Sequence, residues 1–295
     1  MRVKVKPGTY VVAVSGGVDS MVLLDLLRGL SDIKLIVAHF DHGIRLNSAQ
    51  DRILVQARAR KYNLPFVYSN GHLGPDASES AARDARYAFL EKVKKASGAR
   101  AIITAHHQDD LIETAILNLI RGSGRSGLTS LKSTNSLMRP LLGYDKKQIY
   151  EYAKNHTLRW NEDSTNIDTK YKRNHVRHNI MPSFTPGKRA QFLIILEQLQ
   201  DINHDIDANV ANLLHIQLAP NVIDRSWFIR LPHKVSQEVM YAWLKRHNIK
   251  DLTHKNINKL VISAKTSKPR SKFDISAGSV LIVGKHDLAL RMRER

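Results

Sequence analysis

Between Tyr10 and Ile120 the chain alternates short apolar runs rich in β-branched residues with helix-length segments. YVVAVS is followed by MVLLDLLRGL, IKLIVAHF by AQDRILVQARARKYN, PFVYSN by ESAARDARYAFLEKVKKASG, and RAIITAHH closes the series. Strands separated by helices cannot pair as hairpins; they pair in parallel through right-handed crossovers. The pattern predicts an α/β domain whose parallel sheet is covered by helices. With 295 residues and 42% hydrophobic content, the chain has room for this domain and a smaller one.

Beyond Ile120 the pattern changes. RGSGRSGLTSL is a Gly/Ser loop expected to order around a bound ligand, RPLLGYDKKQIYEYAKNH reads as a loop entering a helix, and RWNEDSTNIDTKYKRNHVRHNIMPS is polar and basic. Two prolines and a glycine in PSFTPGK mark a boundary, after which AQFLIILEQLQDINHDIDANVANLLHIQL has helical spacing. The last part is helical and then strand-like, around a turn at Ala277 and Gly278. The expected division is a large α/β domain over residues 1–185, a helical linker region over 186–235 and a small basic α+β domain over 236–295.

The 46 Lys and Arg against 27 Asp and Glu give a net charge of +19, which favours a polyanionic partner, nucleic acid ahead of an anionic membrane surface. From Tyr241 onward there are 13 basic and 4 acidic residues, so the C-terminal module carries about half of that charge and reads as RNA-facing. The chain has no cysteine, which removes disulfides, thiolate metal sites, iron–sulfur clusters and persulfide carriers. MRVKVKPGTY lacks the apolar core of a signal peptide and no long apolar run follows, so a cytoplasmic protein without a membrane anchor is expected.

SGGVDS, Ser15 to Ser20, joins the first strand to the first helix, where ligands of open α/β sheets bind. Gly16 and Gly17 let the backbone approach an anion, and the helix-start amides with the Ser15 and Ser20 hydroxyls are donors for phosphate oxygens. Asp19 is a cap or a metal ligand, since a bare carboxylate repels phosphate. Read alone, two glycines at such a place are equally an empty tight turn.

If HHQDDLIET opens a helix, His106, Asp110 and Glu113 stand at i, i+4 and i+7 on one face. Asp110 and Glu113 then form a carboxylate pair one turn apart, suited to an ammonium or Mg²⁺, or simply to a helix N-terminus. His39 and His42 lie either side of Asp41 at the end of the second strand, near a nucleoside or as ordinary polar histidines. Arg83 and Arg86 share a helical face, and Trp160 and Trp243 read as packing residues.

SGGVDS resembles the pyrophosphatase loop of enzymes that split ATP into AMP and pyrophosphate, a loop that needs no lysine of its own. Together with AHFDHGIR, ESAARDARYAFL, TAHHQDDLIETAILNLIRGSGRSGLTSL, RPLLGYDKKQIYEYA and EDSTNIDTKYKRNHVRHNIMP, it resembles the tRNA(Ile)-lysidine synthetase family over about residues 8 to 182. The tail, LTHKNINKLVISAKTSKPRSKFDISAGSVLIV, is similar more weakly. The resemblance implies a Rossmann-like sheet of the adenine nucleotide α-hydrolase type and ATP-driven attachment of free L-lysine to carbon 2 of the wobble cytidine in tRNA(Ile) with a CAU anticodon. It assigns ATP to Ser15, Gly16, Gly17, Val18, Asp19, Ser20, His39, His42 and Arg45, and catalysis to Asp19, His106, Asp110, Glu113 and Arg83. Asp19 and Asp110 are the expected Mg²⁺ ligands, while Arg173, Asn174 and Arg177 match tRNA-binding positions, and Lys172, interleaved with them beside Tyr171, is expected to join them on backbone phosphates; the resemblance also allows a homodimer. Two other readings stay open at this point: another pyrophosphatase-loop enzyme that modifies a tRNA base, and a non-catalytic RNA-binding protein on the same fold.

Overall fold

The computed structural model describes residues 1–43, 48–74, 77–162, 172–216, 219–249, 252–276 and 278–292. Arg45 lies outside them, as does Ala277 of the expected turn. Two compact units divide the chain, one of Met1–Arg121 and Leu128–Phe192 and the other of Gly122–Gly127 and Leu193–Arg295.

The first unit follows the alternation in order: β1 (Gly8–Ala13), α1 (Val18–Arg28), β2 (Ile33–Asp41), α2 (Ser48–Lys61), β3 (Phe66–Asn70), α3 (Glu79–Ser97), β4 (Ala101–Ile103) and α4 (Gln108–Ile120). After the short turn α5 (Arg125–Leu128) come β5 (Leu137–Met138), α6 (Lys146–Asn155) and α7 (Lys172–His175). A π-helical turn (Val176–Ile180) and a 3₁₀ turn (Met181–Ser183) then lead into α8 (Pro186–His215), which belongs to the second unit from Leu193 onward. The strands form one parallel sheet in the order β3-β2-β1-β4-β5. Central β1 pairs on both sides, with Val12 opposite Val37 and Ile103. Helices cover both faces, so YVV is buried throughout and shows no polar alternation. One face packs Val12 against Leu23, Val55 and Ile149; the other packs Val11 against Leu90 and Ile102.

Local chemistry sets the helix ends. Ser78 caps α3 by accepting the Ala81 N–H at 3.1 Å, and Gly98 closes it at φ +62°. Asp145 and Gln148 form a reciprocal capping box at the start of α6.

The second unit contains β6 (Val222–Asp224), α9 (Arg225–Arg230), α10 (His233–Arg246), α11 (His254–Thr266), β7 (Ser271–Ser276), β8 (Ser279–Val283) and β9 (Asp287–Met292). Its antiparallel sheet has the order β6-β9-β8-β7, so the edge strand β6 comes from residues expected to lie in the linker. Trp243, Phe228, Val261 and Leu281 fill the core, and Trp243 donates to the Pro220 carbonyl at 2.9 Å. In the Gly/Ser loop, Arg125 donates to both Glu238 oxygens (3.2 and 2.7 Å), to Asn203 (2.8 Å) and to Asp207 (2.8 Å). A half-buried guanidinium with this many acceptors anchors the loop at Arg125. No helix among the described residues is long and apolar enough to cross a membrane.

Candidate active site

The site forms at the carboxyl ends of β1 and β4, the neighbouring strands of the sheet from which the chain departs in opposite directions. Gly16 has φ +99°, and a Cβ there would come within 3.2 Å of Asp51 Cβ, so both conformation and space require glycine. Ser20 is buried; its hydroxyl accepts from the Ser15 and Gly16 amides at 3.2 Å and donates to the Gly17 carbonyl at 2.9 Å. Its single proton is therefore committed to the loop, and Ser20 shapes the anion cradle from within. Asn161 closes the loop from outside, its N–H reaching Gly16 O at 3.0 Å and its side chain Asp51 Oδ1 at 2.8 Å.

Asp19 meets a partner 127 residues away: Lys146 Nζ lies 2.6 and 2.7 Å from its two oxygens. Lys146 is the first residue of α6, and its own N–H is held by Asp109 at 2.9 Å. Arg189 also bonds Asp109, and reaches Gln108 Oε1 at 2.8 Å. The loop has no lysine in its own sequence, yet the fold brings one to it.

Helix α4 begins at Gln108 with His107 as its cap, so His106 stands on the preceding loop rather than on the helical face. His107 Nδ1 accepts the Asp109 N–H at 3.2 Å, leaving the proton on Nε2, which points toward Asp110 (3.5 Å) and Asp19 (3.8 Å). His106 Nδ1 contacts the Thr104 hydroxyl at 2.8 Å. Burial, only partly opposed by Asp110 and reinforced by Arg139, Arg86 and Arg83, pushes the His106 imidazole down to about 3, so it is neutral. Burial alone would raise the Asp110 carboxyl, but His107, His106 and Arg173, with the His107 N–H, hold it below the usual carboxylate range.

Asp110 and Glu113 do share one face of α4, and they are already occupied. Glu113 is 1% exposed and accepts Arg177 through both oxygens (2.7 and 3.0 Å) and Arg173 at 3.1 Å; Arg173 also reaches Asp110 at 3.3 Å. Arg173 and Arg177, expected to face RNA phosphates, are turned inward because a carboxylate this buried must be neutralised. Asn174 between them is buried, and Lys172 opens α7.

Beside the loop, a cavity of about 400 Å³ is lined by Ser15, Asp19, His39, His42, His106 and Arg86, among others. His39 Nδ1 lies 2.8 Å from the Val14 carbonyl and must donate to it, which leaves Nε2 a buried acceptor without a partner among the described residues. Burial outweighs that bond and nearby Asp41 and lowers the imidazole's pKa, so His39 is neutral. Arg83 sits exposed over the Tyr87 ring at 4.8 Å, whereas Arg86 enters the cavity wall. Burial, with Arg83 and Arg173 near, lowers the Arg86 guanidinium below its ordinary value. A neighbouring cavity of about 850 Å³ is lined by Asp19, Asp110, Glu113, Lys146, Arg177 and Arg189, among others, and shares Ser15, Asp19, Asp51 and Asp110 with the first. Lys146, His107 and Arg189 were missed in the sequence because their roles come from tertiary approach. The one available signal was the Asp145 cap, which predicts that Lys146 opens a helix.

Comparison with known proteins agrees with this geometry. The model of the PP-loop domain matches residues 2–184. The tRNA(Ile)-lysidine synthase of Thermotoga sp. (strain RQ2) is 42% identical over 181 residues, 58% of this chain and 44% of that protein. That of Francisella tularensis subsp. holarctica (strain OSU18) is 29% identical over 298 residues, 92% of this chain and 71% of that protein. The chain spans less than half the length of the first of these relatives. Among solved structures, the U34-tRNA thiolase NcsA from Methanococcus maripaludis superposes with a TM-score of 0.54 at 17% identity, covering 66% of this chain and 74% of that one, a likeness of fold. With a glycine loop after β1, a parallel sheet and a family match over residues 2–184, the chain belongs to the PP-loop domain family.

Proposed function

We propose that the chain uses ATP to join free L-lysine to carbon 2 of the wobble cytidine in the CAU anticodon of an isoleucine tRNA, forming lysidine. The observation that carries this reading is the SGGVDS loop and the Asp110 and Glu113 carboxylates lining one cavity. The relatives named above support the choice of substrate over the PP-loop unit.

In the first step the cytosine O2 attacks the α-phosphorus, the bond to the β-phosphate oxygen breaks, and pyrophosphate leaves. The Gly17 amide, held only loosely by the Ser15 hydroxyl at 3.4 Å, and the start of α1 hold the phosphates, and Lys146 exchanges Asp19 for the developing pyrophosphate charge. Mg²⁺ fits the donor set: Asp19 and Asp110 both lie beside His107 Nε2, and two carboxylates plus phosphate oxygens are what this ion ordinarily takes. When bound, it supplies further neutralisation of phosphate charge. In the second step the lysine ε-amine attacks carbon 2, the carbon–oxygen bond to AMP breaks, and the amine loses a proton. Asp110 and Glu113 receive the incoming ammonium; Arg173, with its longer contacts of 3.1 and 3.3 Å, yields its place more readily than Arg177.

Pyrophosphate release with purified protein tests the reading. It should require ATP and rise with a CAU transcript but not with one carrying U at the wobble position. Equal release with both transcripts would remove the proposed substrate.

A further inference from the structure

At the opposite end of α1 from the SGGVDS loop, roughly 16 Å along its axis, the ends of α1, α2 and α6 enclose a cavity of about 740 Å³. Its wall carries Arg28, Arg58, Lys61 and Arg159 and, among the described residues, a single carboxylate, Asp25. Asp25 is buried and saturated: Tyr62 donates to it at 2.6 Å, Tyr152 at 2.9 Å and Arg28 at 3.0 Å. Arg28 and Arg58 are also braced on the Tyr62 ring, 4.5 and 5.5 Å from its centroid. Among the described residues, Lys61 and Arg159 have no carboxylate partner, and both are exposed.

We propose that this cavity is a second anion site that takes phosphate groups, supplied by an RNA backbone or by free pyrophosphate. Basic residues in a last helical turn often only offset the helix dipole. Here that need is already met in two of the three helices. The Leu64 N–H closes α2 on the Ala59 carbonyl at 2.9 Å, and the Leu158 N–H closes α6 on Ala153 at 2.9 Å. Asn63 and Thr157 make these closures in the left-handed region, at φ +53° and +51°. A β-branched residue is strained there, and Thr157 lines the cavity. At about half a charge per helix end, three ends and Asp25 amount to roughly −2.5 against four cations, which leaves a positive cavity with two preoriented guanidiniums and two free donors.

Lys61→Gln with Arg159→Gln tests the site, because neither side chain holds the fold together; Lys92→Gln with Lys95→Gln on α3 is the control of equal charge. Both readouts are binding, so they stand apart from the proposed lysine transfer. In the first, the affinity for an unmodified tRNA transcript is followed over a salt series. Each lost phosphate contact lowers the slope of log Kd against log salt by about 0.7–0.9, so the test pair should fall about 1.5 below the control. In the second, pyrophosphate is titrated calorimetrically into protein saturated with a non-hydrolysable ATP analogue, and the test pair should lose a binding event that the control keeps. A change in the first identifies RNA as the source and a change in the second free pyrophosphate. Slopes equal to the control together with unchanged pyrophosphate binding overturn the proposal.

Discussion

Replacing Lys146 with methionine separates the chemical role of this side chain from its structural one. The substitution keeps the aliphatic stem and removes the ammonium that lies 2.6 and 2.7 Å from the Asp19 oxygens. The two side chains are 36% and 28% exposed, so the pair belongs to the solvent-screened class, worth about 1 kcal/mol or less. Asp19 is not left buried without a partner, since His107 Nε2 remains 3.8 Å away. Unfolding in urea should therefore show a stability loss of no more than about 1 kcal/mol. The proposed reaction asks much more of the same ammonium. A preoriented donor aimed at developing charge is worth about 10²–10³ in rate, so single-turnover pyrophosphate release should slow by that factor. A rate within threefold of the parent protein would show that Lys146 does not meet the pyrophosphate. A stability loss above about 2 kcal/mol with a proportional fall in folded protein would show a structural role instead.

Gly16→Ala forces a side chain into φ +99° against Asp51; it should cost about 1–2 kcal/mol and abolish ATP binding in a nucleotide titration, whereas Gly17→Ala, at φ −75° with only the Ser15 hydroxyl near, should still fold normally. Asp110→Ala and Glu113→Ala should slow lysine transfer more than pyrophosphate release, measured separately in single turnovers; equal loss of both steps would undo this division of labour. Asp25→Asn should destabilise the first unit by about 2 kcal/mol at neutral pH, because the hydrogen bonds of Tyr62, Tyr152 and Arg28 to a carboxylate are weakened together. Burial would raise the Asp25 carboxyl, but its bonds to Tyr62, Arg28 and Tyr152 hold it below 3.8. Its stabilisation is thus fully present above about pH 4 and lost as pH falls through the lowered native value, so parent and variant should converge only in acid denaturation below pH 4. Convergence near neutral pH would contradict the assignment.

The alternation of apolar runs and helix-length segments identified the parallel sheet because each strand of the first unit except β5 is long or apolar enough to register in its own window. Strand β5, Leu137 and Met138 alone, and β6, Val222 to Asp224, are too short for any periodicity and exist through pairing with β4 and β9. The long α8 takes Pro186 as its first residue, a position where proline's missing N–H costs nothing, so one of the two prolines read as a boundary also opens a helix. In the site, the glycine loop and the carboxylates of α4 were legible from local spacing. The cations that neutralise them were not: Lys146 lies 127 residues from Asp19, and Arg177 lies 64 residues from Glu113. Local pattern records which groups a segment offers, and only packing decides which charge stands opposite. The inward turn of Arg173 and Arg177 is the clearest case, since the basic run that carries them looks solvated until the burial of Glu113 is known.

The decisive experiment for lysidine formation is transfer of labelled free lysine to an unmodified isoleucine tRNA transcript with a CAU anticodon, in the presence of ATP and Mg²⁺. Label should appear on that transcript and not on a control with U at the wobble position. Pyrophosphate release without label on the first transcript, in favour of another RNA or a small acceptor, would contradict it.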